Sequence, residues 1–126
     1  MSVTIETMEN SVRELLLDLK ASNYRWSPAV IFRGLRDGIK RLNSLRPESR
    51  YFGMKLISVD FPSVDGQLTD ETVEEVRATT VLIDERWIES VVYYATHKAY
   101  QLDNPDTANG DLSSKFLKLF EMIALS

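Results

Sequence analysis

The fold is decided by the stretch RWSPAVIFRGLRDGIKRLNSLRP, residues 25–47. Ser27 and Pro28 form a helix-opening signal, because a serine hydroxyl accepts a free N–H group of the first turn and proline lacks the N–H that would stay unpaired there. Pro47 ends the helix, since the residue before a proline avoids the helical region. We predict a helix over residues 27–44. Its apolar stripe consists of Ile31, Phe32, Leu35, Ile39 and Leu42.

Three further stretches carry the periodicity of amphipathic helices. We predict helices over residues 5–21, 84–103 and 112–124, with Thr4 and Asp84 as N-caps of the first two. Their apolar faces contain Met8, Val12, Leu15, Leu16 and Leu19 in the first, Trp87, Ile88, Val91, Val92, Tyr94, Ala95, Ala99 and Leu102 in the second, and Leu112, Phe116, Leu119, Phe120 and Ile123 in the last.

The insertion between the second and third predicted helices, residues 51–82, has the weakest pattern. Residues 54–61 are rich in β-branched and aromatic side chains and end at a proline, which favours extended chain. Residues 72–82 fit either a short helix or the second arm of a β-hairpin, and both alternatives stay open. We therefore predict one mainly α domain, residues 1–126: a four-helix bundle-like fold with a small extended or β-hairpin insertion.

Length and composition exclude several classes of protein. A chain of 126 residues buries a core without disulfides or a structural metal. It has no cysteine, which excludes disulfide frameworks, thiolate catalysis and cysteine-ligated metal sites. The N-terminal region is acidic where a signal peptide needs a basic start, and the longest apolar runs are a few residues long. We expect a soluble protein with no membrane partner that is not secreted by that route.

Charge is segregated along the chain. Residues 25–55 hold eight cations and two anions, a net charge of +6, so the remainder carries −10 of the total of −4. One interpretation is that solvated helix faces happen to be sorted in this way. The other is that the basic face of one copy meets the acidic face of the next, a head-to-tail contact that can close into a ring.

Catalytic chemistry has little support in the sequence, and we expect no catalytic, cofactor-binding or metal site. His97 is the only histidine, so no second histidine or cysteine completes a zinc site or a nucleophilic pair. Five glutamates between residues 71 and 89 raise the alternative of a magnesium site in an all-α nucleotide pyrophosphatase, but their spacing lacks the clustered pattern of such enzymes. The glycines are too scattered for a phosphate-binding loop.

Nucleic-acid binding is the other alternative. The cations of residues 25–50, together with Tyr24, Trp26 and Tyr51, have the composition of a basic patch with stacking aromatics. A sequence pI near 5.0 argues against it. A tryptophan just before a helix start is also more typical of a core anchor than of a base-stacking platform.

Several short motifs point to one protein family. They are RW at 25–26, GLRDGIKR at 34–41, LRPE at 45–48, DERW at 84–87, VVYY at 91–94 and AYQLD at 99–103. On these motifs the chain resembles the head-to-tail adaptor proteins of tailed bacteriophages, also called connector or head-completion proteins. The resemblance covers residues 24–47 and 83–120, and residues 52–82 depart from the family pattern.

The resemblance implies a non-enzymatic structural protein. Such adaptors are small helical bundles that bind beneath the portal protein, extend the DNA channel and present a docking surface to the tail or stopper protein. It implies a ring of about twelve copies through which genome DNA passes without specific binding. We expect this ring to form only on the portal, because the composition is typical of a monomer with no large exposed apolar patch. It also implies synthesis in the cytoplasm of the host bacterium and a final place in the virion, at the head–tail junction.

The surface cations of the second predicted helix are the candidate contacts to a neighbouring copy or to the portal. These interface candidates are Arg33, Arg36, Lys40, Arg41 and the corner residue Arg46. Large aromatic side chains are more often buried, so we expect Trp26, Trp87, Tyr94 and Phe116 to belong to the core.

Overall fold

The computed structural model describes residues 2–18, 25–52, 55–56, 62–102 and 107–125. It is mainly α-helical, with a small two-stranded hairpin in the insertion as predicted. In chain order the elements are β1 Ser2–Thr4, α1 Ile5–Leu16, α2 Pro28–Leu45, a 3-10 turn Pro47–Arg50, β2 Tyr51–Phe52, β3 Lys55–Leu56, α3 Asp70–Ala78, β4 Thr80–Leu82, α4 Glu85–Leu102 and α5 Thr107–Ala124. None of these helices is long and apolar enough to cross a bilayer.

Helix α2 begins and ends within one residue of the prediction. Ser27 has extended backbone, its hydroxyl accepts the N–H of Val30 at 3.4 Å, and Pro28 occupies the first helical position. The last residue is Leu45, two positions before Pro47. All five residues of the predicted apolar stripe are buried, which confirms the face that this helix turns to the core.

Helix α1 ends at Leu16, so the predicted extension to residue 21 is wrong. Leu17 takes a left-handed conformation with φ of 57°, and the N–H of Asp18 bonds back to the carbonyl of Arg13 at 3.0 Å. The Asp18 carboxylate then accepts the backbone N–H groups of Arg25 and Trp26. Asp18 therefore anchors the start of the segment that leads into α2.

The end of the insertion, residues 72–82, contains the short helix of the first alternative followed by a strand, but that strand is not the hairpin arm of the second alternative. Thr69 caps α3, its hydroxyl accepting the N–H of Thr72 at 3.2 Å, and β4 follows α3 directly. β4 pairs antiparallel with β1, Val81 opposite Val3, so it is not an arm of the insertion hairpin. The chain therefore has five helices among its described residues where four were predicted. Of the predicted extended stretch 54–61, residues 55–56 form β3, and residues 54 and 57–61 lie outside the described residues.

Helix α4 follows the prediction closely, whereas α5 begins five residues earlier than expected. The Asp84 carboxylate accepts the N–H of Arg86 at 3.1 Å at the start of α4. The predicted start of the last helix at residue 112 is wrong, because the backbone is already helical at Thr107. Packing of α5 along α4 outweighs the low helix propensity of Gly110.

The core is built around α4, which contacts α1, α2 and α5. Helices α2 and α4 approach closely because a glycine faces the contact: a Cβ at Gly34 would lie 3.0 Å from the Cα of Ala95. Three of the four predicted core aromatics, Trp26, Trp87 and Phe116, are buried. Tyr94 is only partly buried, with its ring 5.0 Å from that of Phe120.

Candidate interaction surfaces

Two of the five interface candidates, both arginines, bind the loop that precedes α3. The Arg33 guanidinium donates to the carbonyl of Val64 at 2.8 Å and to that of Gly66. Arg36 donates to the Asp65 carboxylate at 2.7 Å, and this hydrogen bond lowers the pKa of Asp65 below its usual range. Both guanidinium groups therefore bind oxygen atoms of the same chain.

Arg46 joins the end of α2 to the end of α5. Its Nε donates to the carbonyl of Ala124, and its Nη1 donates to the Glu48 carboxylate at 3.0 Å. The guanidinium also lies 5.9 Å from the ring centre of Trp87, within cation–π range. Arg46 therefore has a structural role, because it contacts α5, the 3-10 turn and α4.

Lys40 and Arg41 are the two interface candidates with exposed side chains. Arg41 borders a concavity of about 400 Å³ between α2, α4 and α5, together with Leu45 and Leu125. Leu125 is 61 % exposed, so cationic and apolar surface lie side by side. We call Lys40, Arg41, Leu45 and Leu125 the α2 patch.

A second surface lies between α1 and α4 and has the opposite charge. We call it the α1–α4 groove; it encloses about 580 Å³. Its lining residues are Val3, Thr7, Ser11, Glu14, Leu15, Glu85, Ile88, Glu89, Val92 and Tyr93. Three of them are exposed glutamates and none is a lysine or arginine. The Tyr93 hydroxyl donates to the Glu89 carboxylate, which raises the pKa of Tyr93. The groove thus combines apolar side chains with an acidic rim.

A buried network of charges, which the sequence did not lead us to expect, holds α1 to α3. The Glu9 carboxylate is 2 % exposed and accepts hydrogen bonds from Arg13 at 3.0 Å and from Arg77 at 2.8 Å. Arg13 also donates to Asp18 at 2.8 Å. The Glu9 hydrogen bonds and Glu74 raise the pKa of Arg77. The network borders a cleft of about 870 Å³ between α1, α2 and α3.

One sequence signal for this network was available. Glu9 and Arg13 are four residues apart in α1, the spacing at which opposite charges meet on a helix. They directly follow Met8 and Val12 of the apolar stripe, which places them at the edge of the buried face. The contribution of Arg77 depends on the position of α3, for which no local pattern exists.

His97 has structural partners. Its Nδ1 lies 3.0 Å from the carbonyl oxygen of Ser113 and therefore carries the proton, while the Ser113 hydroxyl donates to the His97 carbonyl at 3.0 Å. Burial lowers the pKa of the imidazole. The pair links α4 to α5.

The glutamates considered for a magnesium site are divided between two surfaces. Glu74 of α3 pairs with Arg77 at 2.7 Å, whereas Glu85 and Glu89 line the α1–α4 groove. Within the part of the chain that the structure describes, no three histidine or acidic side chains are grouped as metal ligands.

The basic patch considered for nucleic acid lacks Trp26 as a base-stacking residue. Trp26 is buried and its Nε1 donates to the carbonyl of Ala99 at 2.9 Å, so its ring is not a free stacking platform. The side chains of Tyr24 and Tyr51 lie outside the described residues.

Comparison of the chain with protein-family models, with curated proteins and with solved structures gave no match.

Proposed function

We propose that this chain is a head-to-tail adaptor of a tailed bacteriophage. In this proposal α1, α2, α4 and α5 correspond to the four-helix bundle-like connector fold, and residues 51–82 to its insertion. Copies form a ring beneath the portal protein, continue the DNA channel and offer a docking surface to the tail or stopper protein. The protein acts through its surfaces and without catalysis.

The observation that supports this proposal best is the presence of two surfaces of opposite charge on different sides of the fold. The α2 patch exposes Lys40 and Arg41, the latter beside apolar side chains, and the α1–α4 groove has apolar walls with three glutamates. A ring needs two unlike surfaces on each copy, because every copy contacts its neighbours head to tail.

The internal contacts of three arginines narrow the candidate interface. Arg33, Arg36 and Arg46 bind the chain's own carbonyl and carboxylate groups, so Lys40 and Arg41 are the cations of this set that we propose for contacts to a neighbour or to the portal. The same contacts engage three of the eight cations of residues 25–55 within the chain, which weakens the nucleic-acid alternative. A net charge of −4 suits a channel wall along which DNA slides.

The test is co-sedimentation of the purified protein with the portal ring of the same phage. We expect the protein to move with the portal ring and to stay unbound to double-stranded DNA at low salt. Charge reversal of Lys40 and Arg41 should weaken portal-dependent assembly, whereas reversal of Lys115, an exposed cation of α5, serves as the matched control. Retention on DNA that falls steeply with salt, without portal binding, would favour the nucleic-acid alternative.

A further inference from the structure

We propose that the α1–α4 groove receives the α2 patch of a second copy of this chain. The inference rests on the proposed function, because it names the two surfaces that meet between neighbours in the ring.

The groove has the chemistry of a receptor for a cationic and apolar surface. Leu15, Ile88 and Val92 supply apolar walls from both helices, and Leu15 is 36 % exposed. Glu14 stands on the α1 side of the groove and Glu89 on the α4 side. Since no lysine or arginine lines it, an incoming cation meets carboxylates of both helices and no like charge.

The α2 patch has the matching composition. Lys40 and Arg41 come from the segment with a net charge of +6, and Leu45 and Leu125 supply apolar surface next to Arg41. Glu121 also borders the concavity beside Arg41 and is the acidic residue among its lining. The patch thus offers two cations and two leucines to a groove that offers three carboxylates and an apolar wall.

The placement of the two surfaces suits head-to-tail contact. On α4, Val91 faces α2 because its carbonyl lies near Gly38, whereas Glu89 faces the groove. Residues that are two positions apart in an α-helix, as Glu89 and Val91 are, lie about 200° apart around the helix axis. The groove therefore opens on the side of α4 away from α2. Each copy then uses its patch once and its groove once, which is the arrangement of a closed ring or an open filament.

The test is intermolecular cross-linking, which suits a chain without any cysteine. We would mix the variant Lys40→Cys with Glu89→Cys in the presence of the portal ring, on which the copies are proposed to assemble, and treat the mixture with a short bismaleimide reagent. Docking raises the effective concentration of the two thiols, so we expect mixed dimers to form about tenfold faster than between Lys115→Cys and Glu89→Cys. Lys115 is an exposed cation on α5 and is the matched control.

A short reagent spans only a limited distance, so two further groove variants, Glu14→Cys and Glu85→Cys, are tested in the same way. If none of the three groove positions reacts faster with Lys40→Cys than with the α5 control, the proposal is overturned. It is also overturned if groove cysteines react with the portal protein and never with a second copy.

A charge-exchange series provides a second readout. Adding Arg41→Glu to the Lys40→Cys variant should lower the cross-linking rate several-fold, and adding Glu85→Lys to the Glu89→Cys partner should restore it. All the positions are exposed, so the variants should fold, and circular dichroism checks this.

The outcomes separate this inference from the proposed function. Portal binding without cross-links between copies would keep the adaptor role and remove the groove assignment. Cross-links without portal binding would keep the contact between copies and remove the adaptor role.

Discussion

The substitution Glu9→Gln tests the buried charge network. Glu9 accepts four hydrogen bonds from Arg13 and Arg77, and its side chain is 2 % exposed. Glutamine has nearly the same size, but it carries no charge and turns an NH₂ group toward one of the arginines. The change therefore removes the counter-charge of two guanidinium groups and leaves the packing almost unchanged.

The expected loss follows from the burial of Arg13. Removing one partner of a buried ion pair costs about 3–5 kcal/mol, because the remaining charge is left without compensation. Asp18 still binds Arg13 at 2.8 Å, so we expect the lower end of that range, about 3 kcal/mol. The matched control is Glu14→Gln on the same helix, which is exposed and should change stability by less than about 0.5 kcal/mol.

Equilibrium unfolding in urea, followed by circular dichroism, measures both variants. With a denaturant dependence of about 1–3 kcal/mol per molar urea, the midpoint of Glu9→Gln should fall by about 1–3 M while that of Glu14→Gln barely moves. A loss below about 1 kcal/mol for Glu9→Gln would refute the reasoning, because the network would then contribute little to holding α1 against α3.

Four further predictions concern other sites. Burial lowers the pKa of His97 below its usual 6.5, so its contribution to stability should be present above pH 6.5 and lost as the pH falls through the lowered value; melting temperatures between about pH 7 and pH 5 should drop in the wild type and less in His97→Asn. Gly34→Ala should destabilise by about 1–2 kcal/mol in urea, since the added Cβ would lie 3.0 Å from a backbone atom of α4 and this outweighs the better helix propensity of alanine. Trp87→Ala should cost about 3–5 kcal/mol by the same measurement, because it leaves a cavity at a side chain that is 4 % exposed. Charge reversal of Lys40 and Arg41 together should leave the melting temperature within a few degrees of wild type and still weaken assembly on the portal; a variant that unfolds would contradict the interface assignment.

The regular helices could be predicted from the sequence because their signals are local. Ser27 and Pro28 fix the start of α2, and the apolar stripe identifies its buried face. The early end of α1 had no such signal, since Leu17 adopts a left-handed conformation that glycine usually takes. It is stabilised by Asp18, whose hydrogen-bond partners follow seven and eight residues later. The pairing of β4 with β1 joins the two ends of a long segment, which no local pattern encodes.

The candidate interface could be predicted only as a set of charges. The sequence identified the basic segment, but it could not distinguish arginines that bind the chain's own carbonyl groups from cations that stay exposed. Arg33 and Arg46 find their partners 31 and 78 positions away, so their roles depend on the complete fold. The acidic groove was equally hidden, because its walls come from α1 and α4, which are distant in sequence.

Native mass spectrometry of this protein with and without the portal protein of the same phage tests the proposed adaptor role most directly. We predict a monomer alone, and a complex with about one copy per portal subunit when the portal ring is present. A monomer that ignores the portal would contradict the proposed function, and a stable ring of the isolated protein would contradict assembly on the portal alone.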